Sequence, residues 1–182
     1  MNLCSRETNR LVLREFIKED LEDVHKYSSD TEVVKFLTWG PNTEEQTEKF
    51  LHNVISCKEE EQRKDYDIAV ILKEEGALIG ACKIHIDSFH NKEASISYCY
   101  KKEFWGKNYA AEAGKAMVKF AFNELGMHRV YATCDPDNIK SARVLEKIGM
   151  KREGFLRENK LVKNQWKDSL LYSIISSDII NN

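Results

Sequence analysis

Proline and glycine are scarce in this chain, 2 and 8 among 182 residues. That scarcity excludes collagen-like repeats and Pro/Gly linkers. No internal repeat or low-complexity tract breaks the chain. No apolar run approaches the ~18 residues of a membrane-spanning helix. The segment Met1–Glu7 lacks the apolar stretch of a signal peptide, and no myristoylation or prenylation motif is present. A basic excess is also missing: 28 basic against 30 acidic residues leave a net charge of −2. Nothing therefore drives tight, non-specific binding to nucleic acid. The 5 cysteines (Cys4, Cys57, Cys82, Cys99, Cys134) are odd in number and scattered, with no Cys-x-x-Cys pair. They read as reduced thiols in the cytoplasm, and no His or Cys has metal-site spacing. What remains is the balance of a globular protein, 42% hydrophobic and 32% charged. Residues 1–182 read as one domain, its core running from about residue 8 to about residue 176.

Arg10–Arg14 alternates polar and apolar residues and predicts a half-buried strand. Glu19-Asp20 opens a short helix carrying Leu21, Val24 and Tyr27 or Ser28. Trp39–Asn42 is a turn. Thr43-x-x-Gln46 is a capping box ahead of Phe50, Val54 and Cys57. The charge run Lys58–Asp65 reads as the solvated end of that helix. Ile68–Leu72, Leu78–Ile86 and Ala94–Tyr100 then predict an antiparallel meander. A helix follows Lys107-Asn108-Tyr109, with Ala110, Ala113, Met117, Phe120 and Ala121 on one face, and Gly126 ends it. Arg129–Cys134 is a strand, and Asp135–Asn138 turns into a helix capped by Gly149. Strands near Arg152–Val162 and Trp166–Ile175 close the chain. The order describes an α/β sandwich on a mixed sheet.

Several blocks carry a family resemblance. They are Arg10–Arg14, Ile96-Ser97-Tyr98, Trp105–Ala113, His128-Arg129-Val130, Asp135–Met150, Glu153-Gly154 and Trp166-Lys167-Asp168. In this order and spacing the sequence resembles the GNAT acyltransferases, specifically the RimJ/RimL-like branch named for ribosomal-protein N-terminal acetyltransferases. The resemblance implies a mixed, mostly antiparallel sheet of about seven strands, splayed in the middle, with about four helices on its faces. It implies acetyl-CoA as co-substrate without a metal.

The residues agree with such a site. Trp105, Gly106, Lys107, Asn108, Tyr109 and Ala110 lie where a helix starts, and their amides can face a pyrophosphate with the helix dipole behind them. Asn108 stands where the family usually has a second glycine, and Asn tolerates the left-handed region best among non-glycine residues. It can equally be a helix N-cap. The family pairs the pantetheine arm with the splayed strand edge, which makes Tyr98, Cys99 and Tyr100 coenzyme residues. Asn138 reads as the cap of its helix, the resemblance implies that it also faces the coenzyme, and Ser141 and Lys147 follow on that helix. Glu112 reads as a first-turn acid complementing the helix dipole.

For the chemistry, the resemblance implies direct attack of a primary amine on the thioester within a ternary complex. A backbone N–H near Cys99 would receive the developing oxyanion. Many relatives protonate the departing thiolate with a tyrosine where Leu145 stands; the resemblance to the RimL-like branch, which uses a serine at the position matching Ser141, implies Ser141 as the donor. Many also carry a glutamate where Ser95 stands, so Glu93 and Glu158 become the candidate bases. His85, Trp39 and Trp166 are candidates for lining the acceptor cavity. An α-amine of pKa ~7.7–8.0 is about a tenth neutral at pH 7, whereas freeing a lysine of pKa ~10.4 costs roughly 4–5 kcal/mol. The lack of an obvious strong base favours a protein N-terminus. A small amine (polyamine, aminoglycoside or amino acid) is the second acceptor class, and a non-catalytic acyl-CoA-binding module the reading from outside enzymes. No nucleic acid or membrane partner is expected, and the choice between monomer and homodimer stays open.

Overall fold

A computed structural model describes residues 5–59 and 62–180. Met1–Cys4, including the Cys4 thiol, and Glu60-Glu61 of the charge run lie outside the described residues. In chain order the elements are β1 (Arg6–Glu7), β2 (Leu11–Glu15), α1 (Leu21–Ser28), α2 (Glu44–Ser56), β3 (Asp65–Leu72), β4 (Ala77–Ser88), β5 (Glu93–Tyr100), α3 (Tyr109–Asn123), β6 (Arg129–Cys134), α4 (Ile139–Ile148), β7 (Lys151–Val162), β8 (Gln165–Ile175) and α5 (Ser176–Ile180). The strands form one sheet of eight, ordered β1-β2-β3-β4-β5-β6-β8-β7. Among the described residues, only β5 and β6 pair in parallel.

The expected α/β architecture is present with two short additions. Thr8 N–H donates to Leu11 O at 2.9 Å, which folds Arg6-Glu7 back onto β2 as an extra edge strand. At the far end, Ile175 N–H donates to Asp178 Oδ2 at 3.1 Å as the chain turns into α5. The charge run also departs from its reading as a solvated helix end. Arg63 is only 8% exposed and pairs with Glu15, while Lys58 Nζ donates to Phe16 O at 2.7 Å. These cations fasten the segment to β2.

The β3 run Ile68–Leu72 is apolar throughout because both faces of the sheet are covered. Ile68, Val70 and Leu72 pack toward α3 and α4 with Met117, Phe120, Leu145 and Ile148. Ala69 and Ile71 pack toward α1 and α2 with Val24, Tyr27, Leu51 and Val54. Each large side chain fully buried this way contributes about 1.5–3 kcal/mol. The Thr43 capping box forms as expected: Thr43 N–H donates to Gln46 Oε1 at 2.9 Å, and Gln46 N–H to Thr43 Oγ1 at 3.3 Å. At Gly80 a Cβ would come within 2.4 Å of Cys99 O, so glycine is what allows β4 to lie this close to β5.

The feature that makes a site is the β5–β6 seam. Glu93, Ala94 and Ser95 pair with Arg129, Val130 and Tyr131, and the pairing then stops. Beyond Ser95 the strands diverge. Lys101 N–H donates to Ile79 O on β4, whereas Lys92 O on β5's other side accepts from Arg129 N–H. Backbone groups alternate in direction along a strand. The amides of Tyr98 and Tyr100 therefore face the opened seam, and that of Cys99 faces β4. This corrects the expectation that all three residues offer backbone groups to the seam.

Candidate active site

The opened seam widens into a cleft of about 900 Å3. Its walls come from β5, the turn before α3, the start of α4, the loop around residues 32–38, and the β7–β8 hairpin. Ten of the sequence-predicted residues meet here with Cys99: Tyr98, Tyr100, Trp105, Gly106, Asn108, Tyr109, Ala110, Asn138, Ser141 and Lys147 all line the cleft. Lys107 does not. Its ammonium sits 5.2 Å from the Phe104 ring centroid, and its carbonyl accepts from Arg10 Nη1.

One end of the cleft is an anion cradle. Gly106 and Asn108 have φ of +77° and +65°, and a Cβ at Gly106 would meet nothing within 4 Å. The first intrahelical bond of α3 is Glu112 N–H to Asn108 O. The amides of Tyr109, Ala110 and Ala111 ahead of it thus have no acceptor inside the helix. Asn108 does not cap them. Its Oδ1 accepts from Lys147 Nζ at 2.6 Å instead, which corrects the N-cap alternative. Lys140 lies 4.8 Å from the Trp105 ring, and the Trp105 indole N–H donates to Tyr100 O at 2.8 Å. Free helix amides, small residues and flanking cations are the donor set a pyrophosphate needs, so these residues fit the coenzyme.

Behind the cradle, Glu112 does more than oppose a dipole. It accepts from Thr8 Oγ1 at 2.6 Å, Arg10 N at 2.8 Å and Arg10 Nε at 2.7 Å. Burial pushes its carboxyl pKa up, but these hydrogen bonds outweigh burial and hold it below the ordinary value. Arg10 in turn stacks 4.4 Å from the Tyr109 ring. The loop is therefore braced from the N-terminal strands.

In the middle of the cleft, Asn138 caps α4 by accepting from Ser141 N–H at 3.1 Å. Tyr98 OH donates to Ser141 O at 3.1 Å, and its oxygen lies 2.9 Å from Ser141 Oγ. Burial holds the Tyr98 phenol well above its ordinary pKa, so it stays protonated. Leu145, where many relatives have a tyrosine, is buried and lines the same wall. Burial pushes the Cys99 thiol up to about 12, which keeps it un-ionised.

The two candidate bases sit elsewhere. Glu93 lies at the closed end of the seam, 2.8 Å from Arg129 Nη1, outside the cleft lining. Glu158 is exposed in a bulge of β7 with φ of +45°. Its N–H donates to Asp168 Oδ1 at 2.8 Å, and it is Asp168 that lines the cleft. His85 pairs with Asp65 at 2.8 Å, and Trp39 and Trp166 are 41% and 61% exposed. None of these three reaches the cleft lining. Among the lining residues that the sequence did not single out as site residues are Thr133, Lys160 and Asp168. Asp168 had a signal in the block Trp166-Lys167-Asp168; Lys160 had none.

Residues 10–151 match the family model described as an acetyltransferase (GNAT) domain. The chain belongs to the GNAT acetyltransferases. It is similar to the uncharacterized N-acetyltransferase YnaD of Bacillus subtilis, at 35% identity over 94% of this chain and 96% of YnaD. Among solved structures it resembles a GNAT-family acetyltransferase from Bacillus anthracis, with 35% identity, a TM-score of 0.84, and 96% and 99% of the two chains covered. A spermidine N-acetyltransferase from Vibrio cholerae, solved with CoA and spermine, shares the fold at 19% identity, with a TM-score of 0.81 over 96% of this chain and 100% of that one. The protein is thus an enzyme, an N-acetyltransferase of this family. Among the described residues, no helix is long and apolar enough to cross a membrane.

Proposed function

We propose that this enzyme transfers the acetyl group of acetyl-CoA to the α-amine of a protein N-terminus, as its RimJ/RimL-like blocks imply. The amine attacks the thioester directly in a ternary complex. The observation that carries the reading is the chemistry of the cleft lining. One end is an amide cradle for a pyrophosphate, and the middle holds a hydroxyl donor. Among the described residues the lining contains no histidine, and the glutamate in it, Glu32, is taken by Lys102.

In this reading the first-turn amides of α3 hold the coenzyme phosphates, with Lys147 beside them. The exposed edge of Tyr98 and Tyr100 binds the pantetheine arm by strand addition. A seam-facing amide there receives the oxyanion, a contribution on the order of 3 kcal/mol. The Tyr98 proton serves Ser141 O, so the Ser141 hydroxyl proton is the one that can turn to the departing sulfur. Asp168, through water, takes the proton-accepting place considered for Glu158. A weak base of this kind suits an α-amine of pKa ~7.7–8.0, not a solvated lysine of pKa ~10.4. In the lining, Lys35, Lys140, Arg143, Lys147, Lys160 and Lys167 outnumber Glu32, Asp135, Asp137 and Asp168, an excess that disfavours a polycationic acceptor such as a polyamine.

The test is thiol release with a panel of acceptors: peptides beginning with Ser, Ala or Met, the same peptides blocked at the N-terminus, spermidine, an aminoglycoside and free amino acids. Release with unblocked peptides only is the expected result. Faster release with spermidine would overturn the acceptor assignment. Binding of acetyl-CoA without release on any acceptor would leave a coenzyme-binding module.

A further inference from the structure

Two lysines on the α1/α2 face of the sheet are about equally withdrawn from water but have opposite surroundings. Lys83 on β4 lies 2.6 Å from Asp65 and 3.2 Å from Asp67. Burial pushes its pKa down, and the two carboxylates more than reverse that. Lys160 on β7 is half-buried and lines the cleft. Its Nζ donates to Thr133 Oγ1 at 2.6 Å. Among the described residues, no carboxylate lies within ion-pair distance of it. Burial therefore prevails and lowers its pKa. Half-buried ammonium groups are ordinarily paired, because an unpaired charge pays for lost hydration.

The position of this amine matters as much as its state. β5 and β6 last pair at Ser95 and Tyr131, and Thr133 stands two residues further along β6, where the seam has opened. Lys160 reaches this point from β7, across β8 in the sheet order. Its amine is thus held at the vertex of the seam. A coenzyme arm laid as in the function proposed above, from the α3 cradle along Tyr100 and Tyr98, would bring its acyl group toward that vertex.

We propose that Lys160 is a self-acetylation site: when no acceptor fills the cleft, its Nζ attacks the bound acetyl-CoA and keeps the acetyl group. The inference rests on the reading of this cleft as the acetyl-CoA site. In the step, the Nζ lone pair forms the new C–N bond and the C–S bond breaks toward sulfur. The nitrogen loses one proton to solvent and the thiolate takes one up. The products are an Nε-acetyl-lysine and free CoA, with no further reactant. Attack within a bound complex needs no encounter, which is the advantage of proximity.

The experiment incubates the full chain with acetyl-CoA and no acceptor, then maps acetyl-lysines by peptide mass spectrometry over time, with calorimetry of acetyl-CoA binding in parallel. The expected result is one acetyl group per chain on Lys160, appearing at least about 10-fold faster than on any other lysine. Its first-order rate should not depend on protein concentration. Lys160→Arg should lose this modification, and Lys167→Arg, changing an exposed neighbour of the same cleft, should keep it. Acetyl-CoA binding with no acetyl on Lys160, or with acetyl spread over exposed lysines at similar rates, would overturn the proposal and leave the coenzyme assignment standing. Absence of acetyl-CoA binding would overturn both. Mapping on the unmodified sequence decides the matter even if Lys160→Arg is poorly folded.

Discussion

At the closed end of the β5–β6 seam, the central guanidinium and its neighbouring carboxylates are paired with one another. Arg129 binds both Glu93 and Glu153, and Glu153 also accepts from Ser173. Tyr131 OH donates to Asp87 at 3.1 Å. At the open end the pattern reverses. Tyr98 and Ser141 bind each other, Lys160 binds a threonine hydroxyl, and the amides of α3's first turn have no helical acceptor. The closed end spends its polar groups on holding two strands together. The open end keeps them on neutral partners, from which a substrate can recruit them at little cost. This difference also separates Glu93 from the chemistry, since its carboxylate already serves the closed end.

The comparison breaks most severely at the cradle. Gly106→Asp should weaken acetyl-CoA binding by at least about 100-fold, because like charges a few ångströms apart at a partly dry site repel by several kcal/mol. The fold should survive, since the new Cβ meets no neighbour and Asp tolerates a left-handed φ better than most residues. Calorimetry beside a thermal melt checks both halves. Next in size is Ser141→Ala, which should lower kcat about 10–100-fold with the acetyl-CoA dissociation constant little changed. Unchanged kcat would mean that the thiolate leaves unaided. A large loss of affinity instead would make Ser141 a binding residue.

Most of the fold was legible in the sequence, as was the gathering of the residues from Tyr98 to Ala110 and from Asn138 to Lys147 around one cleft. The Thr43 box, the Asn138 cap and the alternation in β2 are local signals, and the structure uses each locally. The acceptor half was less legible, because its residues arrive by distant geometry. Lys160 reaches Thr133 from beyond a bulge in β7 between Leu156 and Lys160, and a lone Asn159 inside an otherwise strand-like run is a weak mark of it. The same bulge turns Glu158 outward and leaves Asp168 inside. Glu112 was readable as a first-turn acid, but its partners Thr8 and Arg10 lie about a hundred residues upstream. Lys58 and Arg63 look solvated in a charge run until β2 brings Glu15 to them.

A smaller effect belongs to the closed end. Glu153→Gln removes one acidic partner of Arg129 and weakens the bond from Ser173. The carboxyl pKa of Glu153 is held below its ordinary value, first by Ser173 and then by Arg129. Its contribution to stability is thus fully present above the unfolded pKa of ~4.3 and is lost as pH falls through the lower folded value. The group is 42% exposed, so the contribution at neutral pH should stay under about 1 kcal/mol. Denaturant midpoints at several pH values should show the variant slightly weaker near neutrality, with the gap closing in acid. A gap that widens in acid would show the sign to be wrong.

The smallest expected effect sharpens the comparison on the acceptor side. Glu158→Gln should change kcat by less than about twofold, with a pH–rate profile parallel to the parent. The side chain of Glu158 is exposed, and only its backbone N–H is engaged, by Asp168. A glutamine keeps that N–H and so leaves Asp168 in place. Asp168→Asn should instead lower turnover chiefly at low pH, where few acceptor amines are neutral, and the loss should shrink as pH rises past the α-amine pKa of ~7.7–8.0. Comparing the two profiles separates a carboxylate that lines the cleft from one that only borders it. If Glu158→Gln showed the pH-dependent loss and Asp168→Asn did not, the proton acceptor would be Glu158, and the hairpin would have to turn it inward during catalysis.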